Sequence, residues 1–400
     1  MNINYHYFTV KTLARFAGLR EGDAQYVAHF SQQVDDFIMN APFVVKGAVP
    51  DFFEQNGLAE NIGNNAWIFL PCPTGFNLLN EISHDYQRHA MMPFHFITPE
   101  PLGDMESRGG LDRSKYRCLN AEDKNAALIN RLAESAVNEA KPGDLKSLMN
   151  LGMMFHTFAD TYSHVFFSGL HGWENQAAIQ SAEKASKEAL SEFERLMFKT
   201  LPSIGHANAG HTPDICDYSI TLIMKKNENE RLEPLVVRNN SVFFTSCSKN
   251  ILKMLSRANH VPVPDDFEAK LRQVAWAQTV NDEKNVEELT KSWSKAFPNI
   301  EYHYNKSDYF DFGLKIILGD KALMNSFEIT EEMLMDIHSP EGDRGRAASI
   351  LSTEEVTRDF FDYNELAYKR VYAVTGEYAS IGRKEQIKDL KILIKKYESA

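Results

Sequence analysis

Residues 151–164 read Leu-Gly-Met-Met-Phe-His-Thr-Phe-Ala-Asp-Thr-Tyr-Ser-His. His156, Asp160 and His164 stand four residues apart inside an otherwise apolar run. Each step of four turns an α-helix by about 400°, so the three side chains form one stripe. Leu151, Met154, Phe155, Phe158 and Val165 fill much of the remaining surface. A helix that is apolar on most sides is buried. Charge in such a place is costly unless something compensates it. The compensation is either hydrogen bonding from neighbouring helices or a metal centre. The metal reading has a specific chemistry. A central carboxylate bridges two cations and each flanking histidine binds one. One helical turn matches the roughly 3.5–4 Å separation of two-metal sites.

Three other stretches hold residues of the same kind. Ser31-Gln32-Gln33-Val34-Asp35-Asp36 ends an apolar helix with two acids, which are a solvated turn or a source of ligands and a base. His6 lies one helix earlier and His29 one to two turns before the acids. His95 stands between Phe94 and Phe96, as a core histidine or a ligand, whereas His84 and His89 have a more polar context that suggests surface or supporting positions. In Gly205-His206-Ala207-Asn208-Ala209-Gly210-His211-Thr212-Pro213-Asp214, small residues surround two histidines and an acid. That is an ordinary loop, or the loop that completes a metal site, because zinc draws its ligands from more than one segment. Ten of the 13 histidines fall at or before His211, so histidine-based chemistry is expected in the first half.

Bulk properties narrow the function classes. With 400 residues, 43% of them hydrophobic, the chain can build a large core. A net charge of −12, with no basic block before the last 20 residues, excludes duplex nucleic acid binding by a broad cationic surface. A metal-lined cleft remains compatible with an acidic protein. Cys72, Cys118, Cys216 and Cys247 are scattered without a CxxC pair. A zinc ribbon or thioredoxin motif is thereby excluded, and free buried thiols are expected. The start, Met-Asn-Ile-Asn-Tyr-His, does not read as a signal peptide, and no apolar stretch approaches 18 residues. The expectation is a cytoplasmic protein without a transmembrane segment, with signal-less export left open. The oligomeric state is not legible.

Helical periodicity dominates over residues 5–18, 22–39, 121–140, 144–168, 174–200, 240–257, 265–293, 329–337, 353–373 and 383–398. Residues 41–118 and 201–240 read as irregular, with room for a hairpin at 231–244. The fold class is mainly all-α: a multi-helix bundle around a metal cluster, with long irregular loops and at most a small β element. Residues 1–220 form a metal-binding helical core. Residues 221–400 form a helical C-terminal extension packed on it as one large domain. Leu390, Ile392, Leu393 and Ile394 beside Lys388, Lys391, Lys395 and Lys396 make a basic amphipathic helix, for packing or for a membrane surface.

His156-x3-Asp160-x3-His164 resembles the central helix motif of the zinc-dependent phospholipase C and single-strand-specific nuclease superfamily. That fold is nearly all helical and clusters zinc around a bridging aspartate. The first half, roughly residues 5–218, more closely resembles an uncharacterised bacterial family. It shares the Tyr5-His6-Tyr7 start leading to Leu13-Ala14-Arg15, the phrase from Ser31 to Asp36, the Pro93-to-Phe96 phrase, the histidine helix and the Gly205-to-Asp214 loop. The resemblance implies one zinc at His156, Asp160, His95 and an early acid, Asp35 or Asp36. It implies a second at His164 and His206, with Asp214 as a further ligand and Asp160 bridging. His6 matches a histidine that holds a third zinc in the superfamily. Two departures stand out. The step from bridging aspartate to the next histidine is four residues here and usually six there. Met1 stands where the superfamily has an N-terminal tryptophan. Iron or manganese suits the same donors.

The expected activity is a metal-dependent, zinc-based hydrolase that cleaves phosphoester bonds with activated water, with Asp35 or Asp36 as general base. Its substrate would be a small-molecule or lipid phosphoester, or single-stranded nucleic acid stacked on aromatics. The alternative is a non-catalytic, metal-stabilised interaction or host-directed protein.

Overall fold

The computed structural model describes residues 1–75, 83–108, 112–184, 190–225, 227–229, 233–260, 266–269, 271, 286–309, 315–317, 350–353 and 356–398. The chain divides into two compact units, and both are discontinuous in sequence. The first comprises Met1–Ile38, Thr74–Asn305 and Arg370–Gly376; the second comprises Met39–Pro73, Lys306–Lys369 and Glu377–Ala400.

The first unit is mainly helical. A π-helical turn, Asn4–Thr9, leads into α1 (Val10–Phe16), and α2 (Glu21–Asp36) follows. Gly18, at φ 87°, takes the left-handed conformation that ends α1. In the second unit come β1 (Phe43–Lys46), α3 (Asp51–Gln55), β2 (Ala59–Gly63) and β3 (Ala66–Phe69). The first unit resumes with α4 (His84–Tyr86), which widens into a second π-helical segment, Gln87–His95. Next are α5 (Leu102–Ser107), α6 (Ala127–Glu139), α7 (Leu145–Ser163), β4 (Ala177–Lys184) and α8 (Glu192–Thr200). After them come β5 (Tyr218–Met224), β6 (Glu233–Asn239), α9 (Asn240–Asn259) and α10 (Val286–Ala296). The second unit takes up β7 (Lys315–Ile317), β8 (Ile350–Thr353), the start of α11 (Arg358–Thr375) and α12 (Ile381–Glu398). The molecule is thus mainly α-helical with small β elements. The expected helix at 329–337 and most of that at 265–293 lie outside the described residues.

Helix α7 is the axis of the first unit. Every residue from 151 to 163 is buried, as its apolar circumference demands. It packs against α2, α6 and α9. Its approach to α2 depends on Gly152. A Cβ there would lie 2.3 Å from the Val27 carbonyl oxygen, so any larger residue would push the helices apart. Arg238 closes the other end. This buried guanidinium donates to the carbonyls of Tyr162 (3.1 Å) and Ser163 (2.8 Å), which have no partner inside the helix.

Residues 174–200 do not form the expected single helix. Their first part is β4, which pairs antiparallel with β5, and β5 pairs antiparallel with β6. Alanine and glutamate favour helix locally, but Ala177, Ile179 and Ala182 gain more by covering an apolar cluster with Ile220, Leu222 and Met224. Tertiary burial overrides a weak propensity. The expected hairpin at 231–244 is instead one strand, β6, running into α9, and its partner is β5. In the second unit, five strands order as β2-β3-β1-β8-β7. Asn64 and Asn65, both left-handed at φ 53° and 56°, make the two-residue turn between β2 and β3.

Candidate metal centre

The local folding of five segments brings eight sequence-selected residues together. His156 and Asp160 project from α7, and Asp35 from the last turn of α2. His6 and His95 each ride on a π-helical segment. Such segments widen a helix by one residue per turn and re-aim side chains, and they recur at functional sites. In the second of them the extra width also accommodates Pro93, which a regular α-helix would exclude. His206 and Asp214 come from the loop before β5. His164 is not on α7 but at its C-cap, with backbone angles of −94° and 7°. The four-residue step therefore ends outside the helix. Left-handed Phe166, at φ 83°, then turns the chain away.

The eight fall into three groups, each with its donor atoms within 4.8 Å of one another: His6, His156 and Asp160; Asp35, His95 and His156; and His164, His206 and Asp214. Asp36 joins none of them, for its carboxylate accepts from the Tyr304 hydroxyl. His84 is exposed. His89 is buried instead of at the surface, and its Nδ1 lies 2.8 Å from the carbonyl of Asp85.

Tautomers decide what the centre can hold. His156 Nδ1 donates to the Ser31 carbonyl at 2.8 Å, and His95 Nε2 to the Thr74 carbonyl at 2.7 Å. His164 Nδ1 donates to the His95 carbonyl, and His206 Nδ1 to the Gly210 carbonyl, both at 2.7 Å. A neutral imidazole has one N–H, so each remaining nitrogen presents a lone pair. Those lone pairs face electron-rich partners. His156 Nε2 is 3.2 Å from His95 Nδ1 and 3.2 Å from Asp160 Oδ2. His95 Nδ1 is 3.1 Å from Asp160 Oδ2. His164 Nε2 and His206 Nε2 are each 3.1 Å from an Asp214 oxygen. His6 is fully buried; its Nε2 lies 3.2 Å from Asp160 Oδ1, and its Nδ1 has no hydrogen-bond partner among the described residues. Carbonyl-anchored imidazoles with their other nitrogens converging on carboxylates form groups that could hold a metal ion.

Burial disfavours protonation at three of these imidazoles. Burial, reinforced by neighbouring His6, holds the His156 imidazole well below its ordinary range. Burial likewise takes His6 down to about 4. His164 is lowered by burial despite Asp160 beside it. His206 alone shifts upward: burial opposes its charge, but Asp214 outweighs burial. Burial by itself would raise the Asp160 and Asp214 carboxyls, yet the imidazoles and the Met1 ammonium hold both well below the usual range. The Met1 ammonium donates to Asp160 Oδ1 and lies 3.2 Å from Asp214 Oδ1. Ser163 Oγ donates to the same Asp214 oxygen at 2.5 Å.

Several supports of this site carry no ligand chemistry in sequence. Thr74 Oγ1 donates to the Val34 carbonyl at 2.9 Å, and the Thr74 and Gly75 amides donate to the Phe37 carbonyl. That strap ties the end of α2 to His95 through the Thr74 carbonyl. Gly75 permits it, because a Cβ there would meet the Asp35 carbonyl oxygen at 2.0 Å. Phe96 stacks on His164 at 4.4 Å. Gly152, which lets α2 approach, is the support that a sequence could signal, as a glycine inside an apolar helix.

No curated protein and no solved structure matches the chain. A family model, the family of unknown function DUF6765, matches residues 1–369. The chain belongs to that family.

Proposed function

We propose that the protein is a metal-dependent hydrolase of phosphoester bonds, with zinc as its metal. The observation that carries the metal is the set of four imidazoles anchored to backbone carbonyls, with free nitrogens turned on Asp160, Asp35 and Asp214. The nitrogen and carboxylate donor set suits zinc, and iron or manganese suit it too. Asp160 and His156 would hold cation on the α7 side together with His95, Asp35 and His6. His164, His206 and Asp214 would hold it on the loop side. Bound there, divalent cations supply Lewis acidity towards a phosphoryl group and acidify water.

The protein's own residues complete the arrangement. Asp35 is the most exposed of the eight, with 25% of its side chain accessible. Its carboxylate accepts from Gln32 at 3.4 Å, lies 3.6 Å from His156 Nε2 and reaches solvent, so it is the group placed to take a proton from an attacking water. Asp36 is a weaker candidate, because Tyr304 occupies its carboxylate. Asp160, almost fully buried, keeps its charge and faces both sides of the centre. A second reading, a purely structural metal, is favoured by one observation: the His6, His156 and Asp160 group is closed to solvent.

The test is a phosphodiesterase and phosphomonoesterase panel on metal-loaded protein, with Asp35→Asn, Asp160→Asn and Asp36→Asn variants. Hydrolysis lost with Asp35→Asn and Asp160→Asn but kept within a few-fold with Asp36→Asn supports the reading. Bound metal without turnover on any phosphoester would leave the structural role. Turnover that survives Asp160→Asn would overturn the assignment.

A further inference from the structure

Helix α8 faces the wrong way for a core helix. None of its residues is buried. Phe193 is 70% exposed, Leu196 61%, Met197 48%, and Leu201 just beyond it 41%. At 100° per residue, Phe193, Leu196 and Met197 form one ridge. The attachments lie on the opposite side. Arg195 Nη1 donates to the Gln180 carbonyl at 3.0 Å, and the partly buried Phe198 packs on the apolar cluster beneath β4 and β5. The apolar ridge therefore points directly outward, and among the described residues nothing covers it. Glu192 and Lys199 flank it, while Glu194 is turned into a capping box with Ser191.

We propose that α8 is a docking helix that lies on a lipid surface with Phe193, Leu196 and Met197 inserted. Area decides between the candidate occupants. The four exposed apolar side chains offer on the order of 400 Å², near the size of a functional surface patch. A stable pairing with a second copy needs roughly 800 Å² from each partner, about twice that. A lipid surface needs only a few inserted large apolar side chains on a helix lying in its plane. Charge sets the lipid. The protein carries −12 overall, and the helix flanks are of mixed sign. The ridge itself therefore offers anionic headgroups no net attraction, and insertion into a zwitterionic surface is the fitting mode.

The helix is also bolted to the candidate metal centre. Asn208 Nδ2 donates to the carbonyls of Phe198 (3.1 Å) and Leu201 (2.8 Å), closing the end of α8. The Phe198 ring lies where a Cβ on Gly210 would be, 2.4 Å away, so only glycine fits there. Gly210 in turn supplies the carbonyl that anchors His206. Docking would place the His206 loop next to the lipid surface whatever reaction the centre performs, so this inference does not depend on the proposed activity.

The experiment is co-sedimentation of the full chain with sucrose-loaded phosphatidylcholine vesicles, at low and high salt. Wild type and a Phe193→Asp/Leu196→Asp double variant are compared, with far-UV circular dichroism to confirm that the variant folds. Wild type should pellet with vesicles equally at both salt concentrations, and the double variant at least tenfold less. A Leu196→Trp variant should shift its emission to the blue on adding vesicles and be quenched by brominated lipid. Absence of wild-type binding, or equal binding by the double variant, would overturn the proposal. So would a wild-type dimer, by light scattering, that the double variant makes monomeric, because the ridge would then serve a second copy.

Discussion

The two rims of the candidate centre are built from the same residue types and behave oppositely. On the closed rim, His6, His156 and Asp160 have at most 1% of their side chains accessible. On the open rim, His206 and Asp214 keep 17% and 14%, and Asp35, at the edge of the α7 side, keeps 25%. Burial lowers the proton affinity of His6 and His156. On the open rim Asp214 outweighs burial and raises that of His206. The closed rim thus pairs two imidazoles held neutral by burial with one ionised carboxylate, which the Met1 ammonium faces. On the open rim His206 is favoured to carry a charge beside Asp214, and both side chains reach solvent. A carboxylate next to water does proton chemistry, whereas a carboxylate locked inside a helix bundle positions charge.

The largest expected effect breaks both rims together. Asp160→Asn should remove bound metal and lower phosphoester hydrolysis on the order of 100-fold or more, because it deletes the one charge that faces both sides. His206→Ala should damage only the open rim, losing turnover while leaving metal on the α7 side. Equal metal loss in the two variants would erase the distinction between the rims.

Acid should separate the rims in metal-free protein. The folded-state pKa of His6, about 4, lies below the 6.5 of the unfolded chain, so the unfolded chain takes up the proton first. Stability should fall as pH drops from about 6.5 towards 4, by roughly 3 kcal/mol from this group. His206 has the opposite sign. Its contribution is fully present below 6.5 and is lost as pH rises through its raised folded value. Chemical denaturation of metal-free His6→Ala and His206→Ala between pH 4 and 8 checks both signs. Parallel profiles for the two variants would contradict them.

Gly152→Ala should destabilise the fold by about 2 kcal/mol, because its Cβ would overlap the Val27 carbonyl and push α2, with Asp35 and the Ser31 carbonyl, away from α7. Thermal melting measures the cost, and an unchanged melting temperature would show that the helices approach less closely. Ser163→Ala is the gentlest change. It removes the hydroxyl that fixes Asp214 and should weaken metal at the open rim roughly tenfold, with the closed rim unaffected. Competition with a chromogenic chelator reads that shift.

The sequence makes the closed rim more legible than its surroundings. His156 and Asp160 announce themselves because four-residue spacing on an apolar helix leaves few alternatives. The other ligand-type residues could be selected by their neighbours but not joined, since nothing in the chain states that α2, two π-helical segments and the 205–214 loop converge. Asp36 was indistinguishable from Asp35 in sequence. Only Tyr304, 268 residues away, separates their roles. The supports were invisible for a different reason. The carbonyls of Ser31, Thr74, His95 and Gly210 anchor the imidazoles through the backbone, so their side chains carry no signal. Strand β4 departs from the helix expected at 174–200, where Ala- and Glu-rich sequence favours helix but the apolar cluster rewards a strand.

Elemental analysis of protein purified without added metal, before and after dialysis against chelator, tests the central claim most directly. Zinc, iron or manganese bound at a stoichiometric ratio or above, retained through purification and removed with a loss of thermal stability, is the expected result. Protein that carries no metal, takes up none on reconstitution, and melts at the same temperature with and without chelator would contradict it.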